Sequence, residues 1–174
     1  MRWVACAMLA ALPVCAAQAD KSRVPRAGLV AIEKSIDGKF EHTGVPDPFL
    51  LLGTTRGVYL EGFGVVFTSE VNLVNSPGLS PFKQSFTADE KARLRGQKLE
   101  RVLLLKQAMR DVLRSAATSL TMVPPTEQIA IGVSLFYFWW EEKDGLPSQI
   151  ILRGQRQKLA GADSANASIQ TDEF

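Results

Sequence analysis

The chain has 174 residues, of which 46% are hydrophobic and 22% are charged, and its formal net charge at pH 7 is +2. This composition is typical of one globular domain and excludes a disordered or collagen-like chain. There are only two cysteines and one histidine, which excludes cysteine–histidine zinc clusters and any mechanism that needs a pair of histidines. Composition alone does not indicate a function.

The first 19 residues have the pattern of a secretory signal peptide. Arg2 precedes an almost uninterrupted apolar run, which ends in Ala17-Gln18-Ala19, a cleavage motif with small residues at its outer positions. The run is about 15 residues long, whereas a transmembrane helix needs about 20. We therefore expect residues 1–19 to be removed on export, leaving a periplasmic or secreted protein without a transmembrane span.

Cys15 permits a second interpretation, in which the segment is a lipoprotein signal and the protein is lipid-anchored at this residue. Leu12 fits such a signal, but Val14 stands where a small residue is expected. If cleavage follows Ala19, both cysteines leave with the peptide. The mature chain then has no disulfide, and its stability depends on a packed core.

The sequence divides into a polar, flexible leader at 20–26, a single domain at 27–159 and a tail at 160–174. In the first part of the domain, Leu29, Ile32 and Ile36 recur at helical spacing, which predicts a short amphipathic helix from residue 27 to about residue 40. Prolines at positions 46 and 48 prevent its continuation.

Residues 49–74 carry the clearest strand pattern. Apolar and polar residues alternate from Phe63 to Leu73, a period of two that indicates a strand with one buried face. Residues 49–60 are rich in Leu, Val, Thr and Tyr, and the glycines of 61–64 suit a turn. We predict an antiparallel hairpin.

A long helix is predicted from residue 88 to about residue 122. Thr87 and Glu90 have the spacing of a capping box, and an apolar stripe follows. At 1.5 Å per residue this helix reaches roughly 50 Å, more than a compact domain of this size requires. We therefore expect a kink at Gly96 or a projecting N-terminal third.

A second hairpin is predicted in the C-terminal half. Residues 128–140 are apolar at both alternating sets of positions, which indicates a central strand covered on both faces. Residues 143–145 form a turn, and residues 148–159 return as a more polar strand. Residues 160–174 are small and polar, and we expect them to be disordered.

The order helix, hairpin, helix, hairpin predicts an α+β fold of the αββαββ type. In this arrangement a four-stranded antiparallel sheet packs against one short and one long helix.

No catalytic or metal site and no cofactor are predicted. The lone His42 has no pattern of a nucleophile and an orienting partner around it, and no metal-ligand spacing occurs. Ser80 and Lys83 have the Ser-x-x-Lys spacing in which a lysine activates a serine, but the accompanying motifs are absent. Glu141 and Glu142 are neighbours at a strand end and indicate solubilising charges rather than paired catalytic carboxylates.

Two groups of residues are candidates for binding. The first is a basic face on the first turns of the long helix, and the second is a pair of tryptophans that cannot both enter the same core layer. Together they comprise Lys91, Arg93, Arg95, Lys98, Arg101, Trp139 and Trp140.

The sequence favours a non-enzymatic binding or scaffolding protein of the bacterial envelope, although whether it is an enzyme stays open. Its partner would be an envelope protein or an anionic envelope surface, not a nucleic acid, and the long helix or a sheet edge would support a homo-oligomer. The alternatives are a small hydrolase using Ser80, Glu70 or another carboxylate, and a carrier of an apolar ligand between helix and sheet.

Overall fold

The computed structural model describes residues 24–44, 46–75, 85–161 and 168–174. The predicted signal peptide and most of the predicted leader lie outside these residues. In chain order the elements are α1 (Arg26–Glu41), β1 (Leu50–Leu51), β2 (Arg56–Leu60), β3 (Gly64–Asn72), α2 (Ala88–Ser119), β4 (Gln128–Leu135), β5 (Gln149–Gln155), α3 (Arg156–Ala160) and β6 (Gln170–Glu173). No helix in the described ranges combines the length and the hydropathy needed to cross a membrane.

The protein is an α+β protein with a mixed sheet. The strand order is β1-β3-β4-β5-β6, and β2 also pairs with β3, along the same edge as β1. The hairpins β2–β3 and β4–β5 are antiparallel, and β6 is antiparallel to β5. The central pair β3–β4 is parallel, from Gly64 beside Gln128 to Val71 beside Leu135.

The prediction of a four-stranded antiparallel sheet is therefore wrong. Helix α2 has 32 residues and spans about 48 Å, so it carries the chain back to the end of the sheet at which β3 began. A strand that starts there and pairs with β3 must run parallel to it. The antiparallel pairs β2–β3 and β4–β5 are local, but whether β4 runs parallel or antiparallel to β3 depends on this crossover.

Helix α1 packs through a regular apolar face. The buried residues Leu29, Ile32, Ile36 and Phe40 recur every three or four positions, which places them on one side of the helix. They join a single core with residues of α2, with Leu159 of α3 and with alternate residues of the central strands. The largest fully buried apolar side chains of this core include Phe40, Phe67, Leu105, Met109, Leu113, Ile129, Ile131 and Ile150.

Two carboxylates of α1 hold the edge strand β2. Glu33 Oε1 accepts a hydrogen bond of 2.6 Å from the Gly57 amide, and Asp37 Oδ1 accepts one of 3.0 Å from the Thr55 amide. Arg26 donates to Glu33 at 2.6 Å and to the Gly57 carbonyl oxygen at 3.0 Å. We call the four residues Arg26, Glu33, Asp37 and Thr55 the edge clamp, because they occupy backbone groups on an edge that would otherwise be free to pair.

Helix α2 begins at the predicted capping box. The Thr87 hydroxyl accepts from the Glu90 amide at 3.2 Å, and the Glu90 carboxylate accepts from the Thr87 amide at 2.9 Å. The helix runs without interruption through Gly96 to Ser119. Its buried side carries Val102, Leu105, Met109 and further apolar residues, together with one lysine at position 98.

The sheet has one covered and one open face. Strand β4 lies centrally, as predicted, and its Ile129, Ile131 and Val133 are buried. On the other face Glu70, Ser134 and Arg153 are exposed, so the expectation that β4 is covered on both faces does not hold along its whole length. At one end of β3, Gly64 has a φ of +126°, and a Cβ there would lie 1.9 Å from the Gln128 carbonyl oxygen, so the parallel pairing requires glycine at this position.

The C-terminal tail differs from the expected disorder where the structure describes it. Residues 170–173 form strand β6 on the outer edge of β5, and Ser148 and Gln149 both donate their amides to the Phe174 carbonyl oxygen. Lys106 of α2 forms an ion pair of 2.6 Å with Glu173. Polar composition misled the prediction, because backbone hydrogen bonds to β5, rather than apolar burial, order this strand.

Candidate binding site

A cleft of about 200 Å³ lies beyond the carboxyl ends of the parallel strands β3 and β4. In sheets with parallel strands joined by a helix, this end is where ligand sites commonly form. The first turns of α2 and the segment after β4 complete its walls. The cleft is lined by Val74, Asn75, Phe86, Glu90, Arg93, Leu94, Gln97 and Trp140.

The segment after β4, residues 136–141, is the aromatic loop. Its Trp140 is 8% exposed and stacks on Phe86, with ring centroids 4.0 Å apart. Phe138 also stacks on Trp140, with ring centroids 5.7 Å apart. In contrast, Trp139 is 82% exposed. The loop therefore buries one indole against the helix and presents the adjacent one to solvent.

A buried ion pair fastens the aromatic loop to α2. Lys98 Nζ lies 2.5 Å from Glu141 Oε2, and the two side chains are 0% and 2% exposed. Lys98 also donates to the Phe136 carbonyl oxygen at 3.3 Å, and Glu141 accepts from the Phe138 amide at 3.2 Å. These contacts bond both ends of the loop, Phe136 and Glu141, to one helical side chain, and Glu141 also to the amide in the middle of the loop, which restricts the loop's conformation.

Tyr137 completes the surroundings of the ion pair. Its ring centroid lies 4.7 Å from Lys98 Nζ, a cation–π contact, and its hydroxyl donates to the Pro147 carbonyl oxygen at 2.7 Å. Burial, together with the negative charge of Glu141, raises the pKa of Tyr137 to about 12. Burial lowers the pKa of Lys98, and the hydrogen bond and charge of Glu141 only partly oppose this effect. Burial is thus the main cause of both pKa shifts.

The basic residues of α2 that were predicted to bind a partner do not lie together on one exposed surface. Arg93 is exposed, while Lys91 and Arg95 are half-buried. Arg101 donates to the Asp47 carboxylate at 3.0 Å and to the Asp47 carbonyl oxygen. Lys98 is wholly inside the protein, so its predicted role in contacting an anionic surface is wrong.

The two tryptophans separate as the sequence indicated, but for a different reason. They were expected to alternate across a strand, whereas β4 ends at Leu135 and both lie in the aromatic loop. The interpretation of Glu141 as a solubilising charge is wrong, because it is the buried partner of Lys98; Glu142 is exposed. One signal pointed to this pair: Lys98, Val102, Leu105 and Met109 share a single helical spacing, which places the lysine on the apolar side.

Of the residues of the hydrolase alternative, the structure describes Glu70 and His42, and neither lines the cleft. Glu70 is exposed on the open face of the sheet. His42 is exposed just after α1, where its Nδ1 lies 2.6 Å from the Gly38 carbonyl oxygen. Ser80 and Lys83 lie outside the described residues. Within those residues no group of three metal-ligating side chains is found.

Comparison of the chain with protein-family models, with curated proteins and with solved structures found no match. The geometry of the aromatic loop and the cleft is therefore the basis on which a function can be inferred.

Proposed function

We propose that this protein is an exported, non-enzymatic binding protein of the bacterial envelope that engages a protein partner through Trp139. The observation that carries the proposal is an indole 82% exposed on a loop that a buried ion pair holds in place. Burying such a side chain is worth about 2 kcal/mol. Tryptophan is also among the residues that contribute most to protein–protein binding.

The fastening of the loop supports binding rather than incidental exposure. A flexible loop loses conformational freedom when it binds, and that loss weakens the affinity. Here Lys98 and Glu141 already hold the loop, so the backbone that carries Trp139 loses little further freedom on binding. A partner with an apolar pocket fits this surface, and the exposed Arg93 at the adjacent cleft would favour acidic groups at its rim.

The carrier alternative has less support. A ligand held between helix and sheet would need space in the core, but that region is filled by side chains such as Phe67, Leu105 and Met109, each no more than 1% exposed. Close packing of this kind leaves no room for a lipid without rearrangement.

Site-specific photo-crosslinking in the native host tests the proposal. A photoreactive phenylalanine derivative replaces Trp139 in one strain and Ser115, an exposed residue of α2, in a control strain. We expect a discrete adduct with another envelope protein only from position 139. In the strain with the photoreactive residue at position 139, the further substitutions Lys98→Met and Glu141→Gln should lower the yield of that adduct, because they remove the ion pair that holds the loop. Identical adduct patterns at the two positions would contradict the proposal.

Export has its own test. Intact-mass analysis of the protein from the envelope fraction should find a chain that begins at Asp20. A chain that begins at Cys15 and carries lipid would instead support the anchored alternative, and Cys15→Ser would then abolish the lipid. A full-length chain in the cytoplasmic fraction would contradict export.

A further inference from the structure

Helix α2 carries an apolar stripe on its exposed side. Ala92, Gly96, Leu99 and Leu103 are spaced by four, three and four residues, which aligns them along one side of the helix. All four are exposed, Leu99 by 38% and Leu103 by 67%. We call these four residues the α2 stripe.

The glycine in the α2 stripe also points to a contact with another helix. Glycine inside a helix costs about 1 kcal/mol relative to alanine, so a glycine in the N-terminal third of the 32-residue α2 needs a reason. Among the described residues, no atom lies within 4 Å of a Cβ added to Gly96. Packing against those residues therefore does not require the glycine, whereas close approach of another helix would.

We propose that the α2 stripe binds the same stripe of a second copy of this chain, with the two helices antiparallel. A two-fold axis between Gly96 and Leu99 places Leu103 against the partner's Ala92 and Leu99 against the partner's Gly96. Each large side chain then meets a small one, and the pattern repeats by symmetry. A parallel pair would instead set leucine against leucine at one end and leave a gap between glycines at the other.

The charges beside the stripe agree with the antiparallel arrangement. Arg93 and Glu100 are exposed and lie seven residues apart, so they flank the same side of the stripe. In antiparallel helix pairs, residues on the same flank face one another across the interface. Arg93 therefore faces the partner's Glu100, and the symmetry forms this opposite-charge contact twice.

The interface is small. Four layers of one helix pair bury less than the roughly 1,200 Å² found in stable complexes, so we expect dissociation constants of roughly 10 to 100 μM. Confinement in an envelope compartment or a shared partner would strengthen the dimer. The inference does not rest on the proposed function, because no residue of the α2 stripe belongs to the aromatic loop; the two proposals share only Arg93, which also lines the cleft.

Sedimentation equilibrium of the purified envelope-fraction protein, from about 1 to about 500 μM, tests the dimer. The wild type should pass from monomer to dimer, and Leu103→Lys should weaken association at least about tenfold. The matched control is Leu104→Lys, which changes a neighbouring leucine that is 48% exposed and lies off the stripe. A wild type monomeric throughout, or equal effects of the two variants, would overturn the proposal.

A charge exchange tests the helix direction. Glu100→Arg alone and Arg93→Glu alone should each weaken the dimer, because each sets like charges together. The double variant should restore wild-type association in the antiparallel arrangement. If the single variants weaken the dimer and the double variant does not recover it, the antiparallel arrangement is wrong.

Discussion

The Lys98–Glu141 pair shows how one buried residue fixes a surface loop. Removing two charges from water costs several kcal/mol per ion, and the attraction between them repays this only when both ions are well hydrogen-bonded. Here the Phe136 carbonyl oxygen and the Phe138 amide supply those bonds. The pair is thus suited to fixing the loop's position rather than to maximising stability.

We predict that either Lys98→Met or Glu141→Gln lowers the free energy of unfolding by about 3 kcal/mol, because each leaves a group without its buried partner. The double variant should lose clearly less than the sum of the two. Urea unfolding at neutral pH measures all three. Lys39→Met, which breaks the exposed pair with Asp111, serves as control and should cost less than about 1 kcal/mol. Additive losses at Lys98 and Glu141 would contradict the coupling.

At the scale of elements, the edge clamp joins α1 to the strand next to it. Glu33 and Asp37 lie one turn apart on the helix, so their carboxylates can meet amides two residues apart along the chain. Burial by itself raises the pKa of Glu33, but hydrogen bonds from Arg26 and Gly57, with the positive charges of Arg26 and Arg56, outweigh it. The pKa is held below its ordinary value of 4.5.

We predict that Glu33→Gln lowers the free energy of unfolding at pH 7 by about 2 kcal/mol, the usual value for hydrogen bonds to a charged group. Because the folded pKa is lower than the unfolded one, this contribution is complete above about pH 4.5 and is lost as the pH falls through the folded value. Urea unfolding between about pH 7 and about pH 3 should therefore show the difference from wild type narrowing in acid.

The control for this prediction is Glu41→Gln, which removes an exposed carboxylate from the same helix. It should change the free energy of unfolding by less than about 0.5 kcal/mol at pH 7. A difference between Glu33→Gln and wild type that stays constant down to about pH 3 would show that the charge of Glu33 does not stabilise the edge clamp.

At the scale of the whole molecule, each edge of the sheet has a feature that limits pairing with other strands and that composition does not reveal. The edge clamp binds backbone groups at one edge, and the short strand β6 forms the other. Strand β6 has no buried side chain, so its stability depends on the ladder with β5 and on the ion pair with Lys106. Strand β6 is now the edge strand, and because it has only four residues, two of them acidic, it is a poorer template for pairing than a bare β5 would be.

The backbone hydrogen bonds between β5 and β6 predict that proline at two neighbouring positions changes the free energy of unfolding by different amounts. Gln149 and Phe174 exchange both backbone hydrogen bonds, so the antiparallel alternation makes Asp172 and Ile151 the next bonded pair. Asp172→Pro should lower the free energy of unfolding by about 2 kcal/mol, whereas Thr171→Pro, whose amide points outward, should cost less than about 0.5 kcal/mol.

Urea unfolding and amide exchange of β5 measure this difference. Asp172→Ala is the control for the exposed ion pair between Asp172 and Arg153, and it should behave like Thr171→Pro. Equal destabilisation by the two prolines would contradict the assigned ladder.

The predictions from sequence were reliable where the determinants are local. The start of α2 follows from Thr87 and Glu90, three residues apart. The face of α1 follows from the spacing of Leu29, Ile32 and Ile36, and the β2–β3 hairpin follows from alternation and the glycines of its turn; the strands predicted at 128–140 and 148–159 end earlier, at Leu135 and Gln155. Each of these patterns is complete within about one element, so the residues that decide it can be read together.

Tertiary structure alone decided the rest. The parallel join of β3 to β4 depends on where a 32-residue crossover returns the chain, and the order of β6 depends on an edge formed by β5. Lys98 and Glu141 are 43 residues apart; the helical spacing places Lys98 on the apolar side of α2, but nothing in the sequence identifies Glu141 as its partner. That pairing also determines which tryptophan meets solvent, because burial depends on neighbours that are distant in the chain.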